Sequence, residues 1–269
     1  ADCANQADPW GERFAAAGQS WESLHNGGDL AVFRDLWQNP DNDPLSAAKA
    51  IKVTLHEYYH VYQHSQKLYF EEKKQFGIPL AWEKNPEHFH KFPPTKPIEF
   101  PEWIGEGGAD FAGITLTARF DPSLDARGIF ENSLDEARAV VSVAASKGDT
   151  VSLKDYEYQT WLYESSDNPN NGIPRNFAYH YTGGSWALMY LWSLDDDNYQ
   201  KIMIDYYKNW AENENRYPGQ SWKYSFESLF DMTLDDFYRD FDAFMLQDKA
   251  SQMAILKTNE EVRNAKLMP

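Results

Sequence analysis

SAAKAIKVTLHEYYHVYQHSQKLYFEEKKQFG, residues 46–77, holds no proline and no glycine before its final Gly77, and it decides the reading of this chain. Ser46 suits a helix N-cap, Gly77 a helix stop, and Pro79 lies just beyond, so the stretch predicts one long helix from Ala47 to about Phe76. Inside it stands His56-Glu57-Tyr58-Tyr59-His60. On a helix the two imidazoles lie one turn apart on the same face, near enough to share one cation, while Glu57 sits beside them and off the metal. The bland alternative is a pair of hydrogen-bonded core histidines.

A catalytic zinc site uses three protein ligands and keeps a position for water. His64 continues the i, i+4 series. An unbroken helix, however, carries it roughly 12 Å from His56, too far for one ion. Glu106 is the better third ligand. It lies in Trp103-Ile104-Gly105-Glu106-Gly107-Gly108-Ala109-Asp110, within a second predicted helix that Pro101 opens and that runs from Glu102 to about Phe120. Glycines at 105, 107, 108 and 113 each cost about 1 kcal/mol in a helix interior, a cost explained if this helix presses closely against the first. Asp110, one turn beyond Glu106, is placed to accept the free N–H of a ligating imidazole. An exposed acidic stripe is the competing reading for this pair.

Three stretches together resemble the gluzincin metallopeptidases, the group of thermolysin-like and aminopeptidase N-like enzymes: HEYYHVYQ at 56–63, PEWIGEGGAD at 101–110 and YTGGSWALMYL at 181–191. The resemblance spans roughly residues 46–245, with some 30 specific positions. It implies one Zn2+ per chain held by His56, His60 and Glu106, with Glu57 as general base and Asp110 supporting a ligand from behind. It also implies an oxyanion donor at Tyr181, with Tyr179 and His180 as rivals. The sequence departs from the family in two respects. The first 45 residues leave little room for the sheet that precedes the zinc helix, and no GxMEN-like segment is present to hold a free amine. Endopeptidase action on peptide or protein substrates is therefore the expectation. The alternatives are cleavage of glycopeptide or peptidoglycan amide bonds, or a zinc-stabilised binding module without turnover.

The rest of the chain fits a mainly α architecture with little β-sheet. It reads as a helical, gluzincin-like metallopeptidase domain over 1–269 with a cleft between two helical lobes. Residues 1–45 form an N-terminal helical segment, 46–120 the zinc-binding helices and 121–269 a C-terminal helical lobe. Further helices are predicted over 130–147 and 178–210, and helix starts at Ser225 and Thr233. Loops are predicted over 85–101, with five prolines and the exposed pair His88 and His90, and over 165–176. Short strands fit only 151–153 and 98–100. Asp195-Asp196-Asp197-Asn198 lacks the spacing of a calcium loop and reads as a solvated turn.

With 42 acidic against 25 basic residues, the formal net charge of −17 argues against nucleic acid and anionic membranes as partners. No apolar run approaches the roughly 20 residues of a bilayer span. Cys3, the single cysteine, provides neither a disulfide nor a thiolate site, so a metal must use His, Asp or Glu. Starting at Ala1 without an initiator Met, the chain fits a mature secreted or periplasmic protein. Aromatic residues make up 16% of the chain, which fits either a Trp- and Tyr-rich core or ring-lined binding platforms.

Overall fold

Pro101, with φ at −54°, sets the start of the helix around which the described part of the protein is arranged. The computed structural model describes residues 51–60, 62, 63, 66, 101–121, 125–157, 179–214, 216, 217 and 219–267. Its elements are α1 (51–60, continuing through 62, 63 and 66), α2 (Glu102–Phe120), α3 (Ala126–Ser146) and α4 (Tyr179–Leu194). The fifth, α5, comprises Asn198–Gln200, a π-helical turn Lys201–Asp205 and Tyr206–Asn213. There follow α6 (Ser221–Phe230), α7 (Leu234–Met245), α8 (Lys249–Met253) and α9 (Asn259–Asn264). Among the described residues the protein is mainly helical and has no strand, and no helix is long and apolar enough to cross a membrane.

The most extensive packing is between α2 and α4. Small residues permit it. A Cβ on Gly184 would lie 2.5 Å from the Trp103 carbonyl oxygen and 2.9 Å from Gly107 Cα, so the two backbones touch where the helices cross. Gly113 serves the α1 side, where a Cβ would meet the Lys52 carbonyl oxygen at 2.7 Å. The expectation that glycines bring α2 against α1 therefore holds at Gly113, whereas Gly107 faces α4.

Around this crossing the aromatics build the core. Trp103 is fully buried, stacks on Phe237 at 5.6 Å and donates its indole N–H to the Tyr238 hydroxyl at 3.1 Å. Truncating such a side chain to Ala costs roughly 3–5 kcal/mol. Trp186, equally enclosed, donates to the Phe130 carbonyl at 2.8 Å. All five tryptophans among the described residues (103, 186, 192, 210 and 222) are buried, so these rings are core rather than platform.

Several element boundaries differ from expectation. Helix α3 begins at Ala126 because the Asp125 carboxylate accepts the Gly128 N–H at 3.0 Å and caps it. Residues 178–210 are not one helix. Three aspartates at the negative end of α4 oppose its dipole, and the Asp195 carboxylate accepts the Asp197 N–H at 3.0 Å in place of a helical bond. That turn is exposed, with Asp196 paired to Lys257, as a solvated turn should be. Ser225 is no cap. The Trp222, Phe226, Phe230 spacing carries α6 back to Ser221, leaving Ser225 buried inside it. Thr233 does cap α7, accepting the Asp236 N–H at 3.1 Å. The 151–153 segment leads into a 3-10 turn, Leu153–Tyr156, because Ser152 and Asp155 close a capping box over it. The helices expected in 1–45, the end of α1 towards Phe76, Cys3, His64, His88, His90, the strand at 98–100 and the loop at 165–176 lie outside the described residues.

Candidate metal centre

His56 and His60 leave α1 on the face turned towards α2, where Glu106 meets them, and all three are buried. His56 Nε2 lies 3.1 Å from His60 Nε2, while Glu106 Oε2 is 3.4 Å from the first and 3.2 Å from the second. Ligands about 2.0–2.1 Å from a tetrahedral ion stand about 3.3–3.4 Å from one another, so this triangle has the dimensions of one face of such a site. The chemistry of the atoms agrees with the dimensions. His56 Nδ1 faces Asp110 Oδ1 at 3.2 Å, and His60 Nδ1 faces Gln63 Oε1 at 2.8 Å. Carboxylate and amide oxygens only accept, so each Nδ1 carries a proton, and in the neutral ring the lone pair is on Nε2. Two lone pairs and a carboxylate oxygen converging in a buried space repel unless a cation or proton sits among them. His56, His60 and Glu106 thus form a group able to bind a metal ion. The donor set suits zinc and also accepts other divalent ions.

The electrostatics express the same demand. Burial opposes charge on His56, yet the hydrogen bonds and charges of Asp110 and Glu106 outweigh it and push the imidazole up to about 9. For Glu106, burial would favour the neutral acid, but the bonds and charges of both imidazoles hold it well below the usual carboxylate range. Asp110 is likewise opposed by burial and is held at about 2 by its bond to His56 and the charge of Lys52, whose Nζ lies 2.8 Å away. Without metal, the pocket therefore holds a proton on His56 that a divalent cation would displace.

Glu57 follows His56 on α1, half-buried, with one carboxylate oxygen shielded from solvent. Tyr181 lies in the first turn of α4 rather than ahead of it, its ring 5.9 Å from that of His56 and its hydroxyl bonded to Glu106. Burial, then the negative charge of Glu106, raise this phenol far above its ordinary range, so it stays protonated and able to donate. Its rivals are placed differently. Tyr179 is fully buried 5.2 Å from Tyr156, its hydroxyl without a partner among the described residues. His180 is enclosed between Tyr156 and Tyr181, and burial pushes it down to about 4 despite the nearby carboxylates.

Sequence reasoning missed Gln63 and Tyr207. Gln63 Nε2 donates to the Gly105 carbonyl at 3.0 Å and to the Tyr207 hydroxyl at 2.8 Å, and that hydroxyl donates to the Ile104 carbonyl at 3.0 Å. A signal existed for Gln63, a polar residue one turn after His60 just as Asp110 is one turn after Glu106. Tyr207, 144 residues from Gln63, left none. Comparison with protein-family models, curated proteins and solved structures returns no match.

Proposed function

We propose that this protein is a zinc-dependent hydrolase of peptide bonds, of gluzincin type, acting as an endopeptidase on a substrate seated in a cleft beside the metal group. The reading is carried by the triangle of His56 Nε2, His60 Nε2 and Glu106 Oε2, with Glu57 adjoining one ligand and Tyr181 bonded to another. When bound at these three residues, zinc supplies Lewis acidity, lowering the pKa of water towards neutrality and polarising a carbonyl.

The protein's own side chains supply the rest. Glu57 takes a proton from the attacking water as its oxygen forms the new bond to the scissile carbonyl carbon, then delivers that proton to the leaving nitrogen as the C–N bond breaks. Tyr181 donates a hydrogen bond to the carbonyl oxygen as negative charge develops there. Asp110 holds the His56 imidazole with its Nε2 turned to the metal group.

The test is cleavage of an unfolded protein by the zinc-loaded chain beside Glu57→Gln of equal zinc content. A loss of about 10²–10⁴-fold in the variant is the result this mechanism requires. Full activity in the variant would remove Glu57 from the chemistry, and no cleavage by either at one equivalent of zinc would remove the peptidase reading.

A further inference from the structure

The supports behind the two imidazoles differ, and only one is accounted for by the chemistry above. His56 leans on a carboxylate. His60 leans on an amide whose orientation is itself dictated by what surrounds it. Gln63 has one acceptor oxygen and two N–H donors, and the donors are committed to the Gly105 carbonyl and the Tyr207 hydroxyl. Turning the amide over would set its oxygen 3.0 Å from the Gly105 oxygen, two acceptors face to face in a site without water access. The Tyr207 hydroxyl can accept from Gln63 because its own proton goes to Ile104.

That hydroxyl is placed by an irregularity in α5. Tyr206 N–H bonds the Lys201 carbonyl, five residues back, and carbonyls of this widened turn accept from side chains of α1. Tyr59 donates to Met203 at 2.9 Å and Tyr62 to Ile204 at 3.0 Å, pinning α1 against the turn with Tyr207 beneath Gln63. Ile104 and Gly105 immediately precede Glu106. One network therefore ties the second ligand, His60, to the third.

We propose that Gln63, oriented by Tyr207, is the positioning residue for His60: it fixes the Nδ1–H tautomer and locks the ring direction relative to Glu106. The proposal rests on the metal-site reading and specifies what makes that site selective for one geometry. It makes the support of the two imidazoles unequal by construction, charged for His56 and neutral for His60.

The experiment measures zinc affinity by chelator competition, and the visible spectrum after Co(II) loading, for the full chain and for Gln63→Met, Gln63→Glu and Tyr207→Phe. Near-UV circular dichroism reports folding. Gln63→Met keeps the volume but removes the acceptor, and it should weaken zinc binding about 10–100-fold and change the Co(II) spectrum. Gln63→Glu keeps an oxygen for the imidazole proton and, as the neutral acid that burial favours, donates its O–H to the Gly105 carbonyl, so it should recover most of the affinity. Tyr207→Phe should give a smaller loss in the direction of Gln63→Met. Unchanged affinity in folded Gln63→Met, or equal losses in the Met and Glu variants, would overturn the proposal by reducing Gln63 to packing. Should Gln63→Met fail to fold, Tyr207→Phe decides, and unchanged affinity there overturns it. Absence of zinc binding by the unmodified chain would instead refute the site itself, a different failure.

Discussion

The two faces of the metal centre solve the same problem with opposite means. Behind His56 stand Asp110 and Lys52, a charged pair whose side chains keep 14% and 22% of their exposure. Behind His60 stand Gln63 and Tyr207, neutral and buried to 0% and 1% exposure. Each arrangement turns an imidazole Nε2 towards Glu106. The difference follows from dielectric surroundings. Near water a carboxylate can keep its charge if a lysine answers it, whereas in the enclosed half an ion would need a second ion and every remaining hydrogen bond satisfied. An amide held by two acceptors meets the same need at lower desolvation cost. Charge is used where solvent reaches, and hydrogen-bond geometry where it does not.

Four measurements break or sharpen that contrast, the largest effect first. His180 lies beside the centre, and burial puts its folded pKa at about 4, below the ordinary value of 6.5. The unfolded chain therefore takes up protons first as pH falls. This group's contribution is intact above pH 6.5 and is lost progressively down to pH 4, about 3 kcal/mol in all. Urea midpoints at pH 7 and pH 4.5 should converge in His180→Gln relative to the unmodified chain, and identical pH dependence would refute the assignment. Asp110→Asn removes the charge but keeps the shape, and zinc affinity should fall by about 10–100-fold. If Asp110→Asn binds zinc as tightly as the parent, the charged face contributes only geometry and the contrast disappears.

Gly184→Ala acts on both faces together, since its methyl group would enter the Trp103 carbonyl and part α2 from α4. A cost of about 2 kcal/mol is expected, read as a lower thermal midpoint, with weaker zinc binding because Glu106 rides on α2. An unchanged midpoint would mean the crossing is looser than its geometry. The smallest effect belongs to a site remote from both faces. Asp125→Ala removes the α3 cap and should cost about 1 kcal/mol of stability while zinc affinity stays constant, and a change in affinity would show that the centre feels distant helix ends.

What the sequence disclosed and what it hid divide along physical lines. The relation of His56 to His60 is set by helical pitch alone, and the glycines around Glu106 carry their cost in plain view, so the spacing of a metal group was readable locally. Proline, glycine and aspartate marked several helix ends. Ser225 misled because a hydroxyl before an apolar run looks like a cap until the upstream aromatic spacing is weighed. Which helix each glycine touches was not readable, since Gly107 and Gly113 share one helix yet face α4 and α1 respectively. The Gln63 to Tyr207 bond depends on tertiary placement across 144 residues, and the π turn that sets it has no compositional mark.

That turn also constrains how this chain can change in length. A π turn holds one residue more than the α-helix around it. Excising a single residue between Lys201 and Asp205 would restore regular pitch and, because the turn absorbs that residue, leave the phase of the helix after it nearly unchanged. Adding one residue between Tyr206 and Tyr207, in regular helix, would instead swing everything after it by about 100° about the helix axis and point Tyr207 away from Gln63, although no residue of the metal group had been touched. A single-residue insertion a full helix away is thus predicted to disable the centre, while a deletion inside the π turn spares the direction of Tyr207.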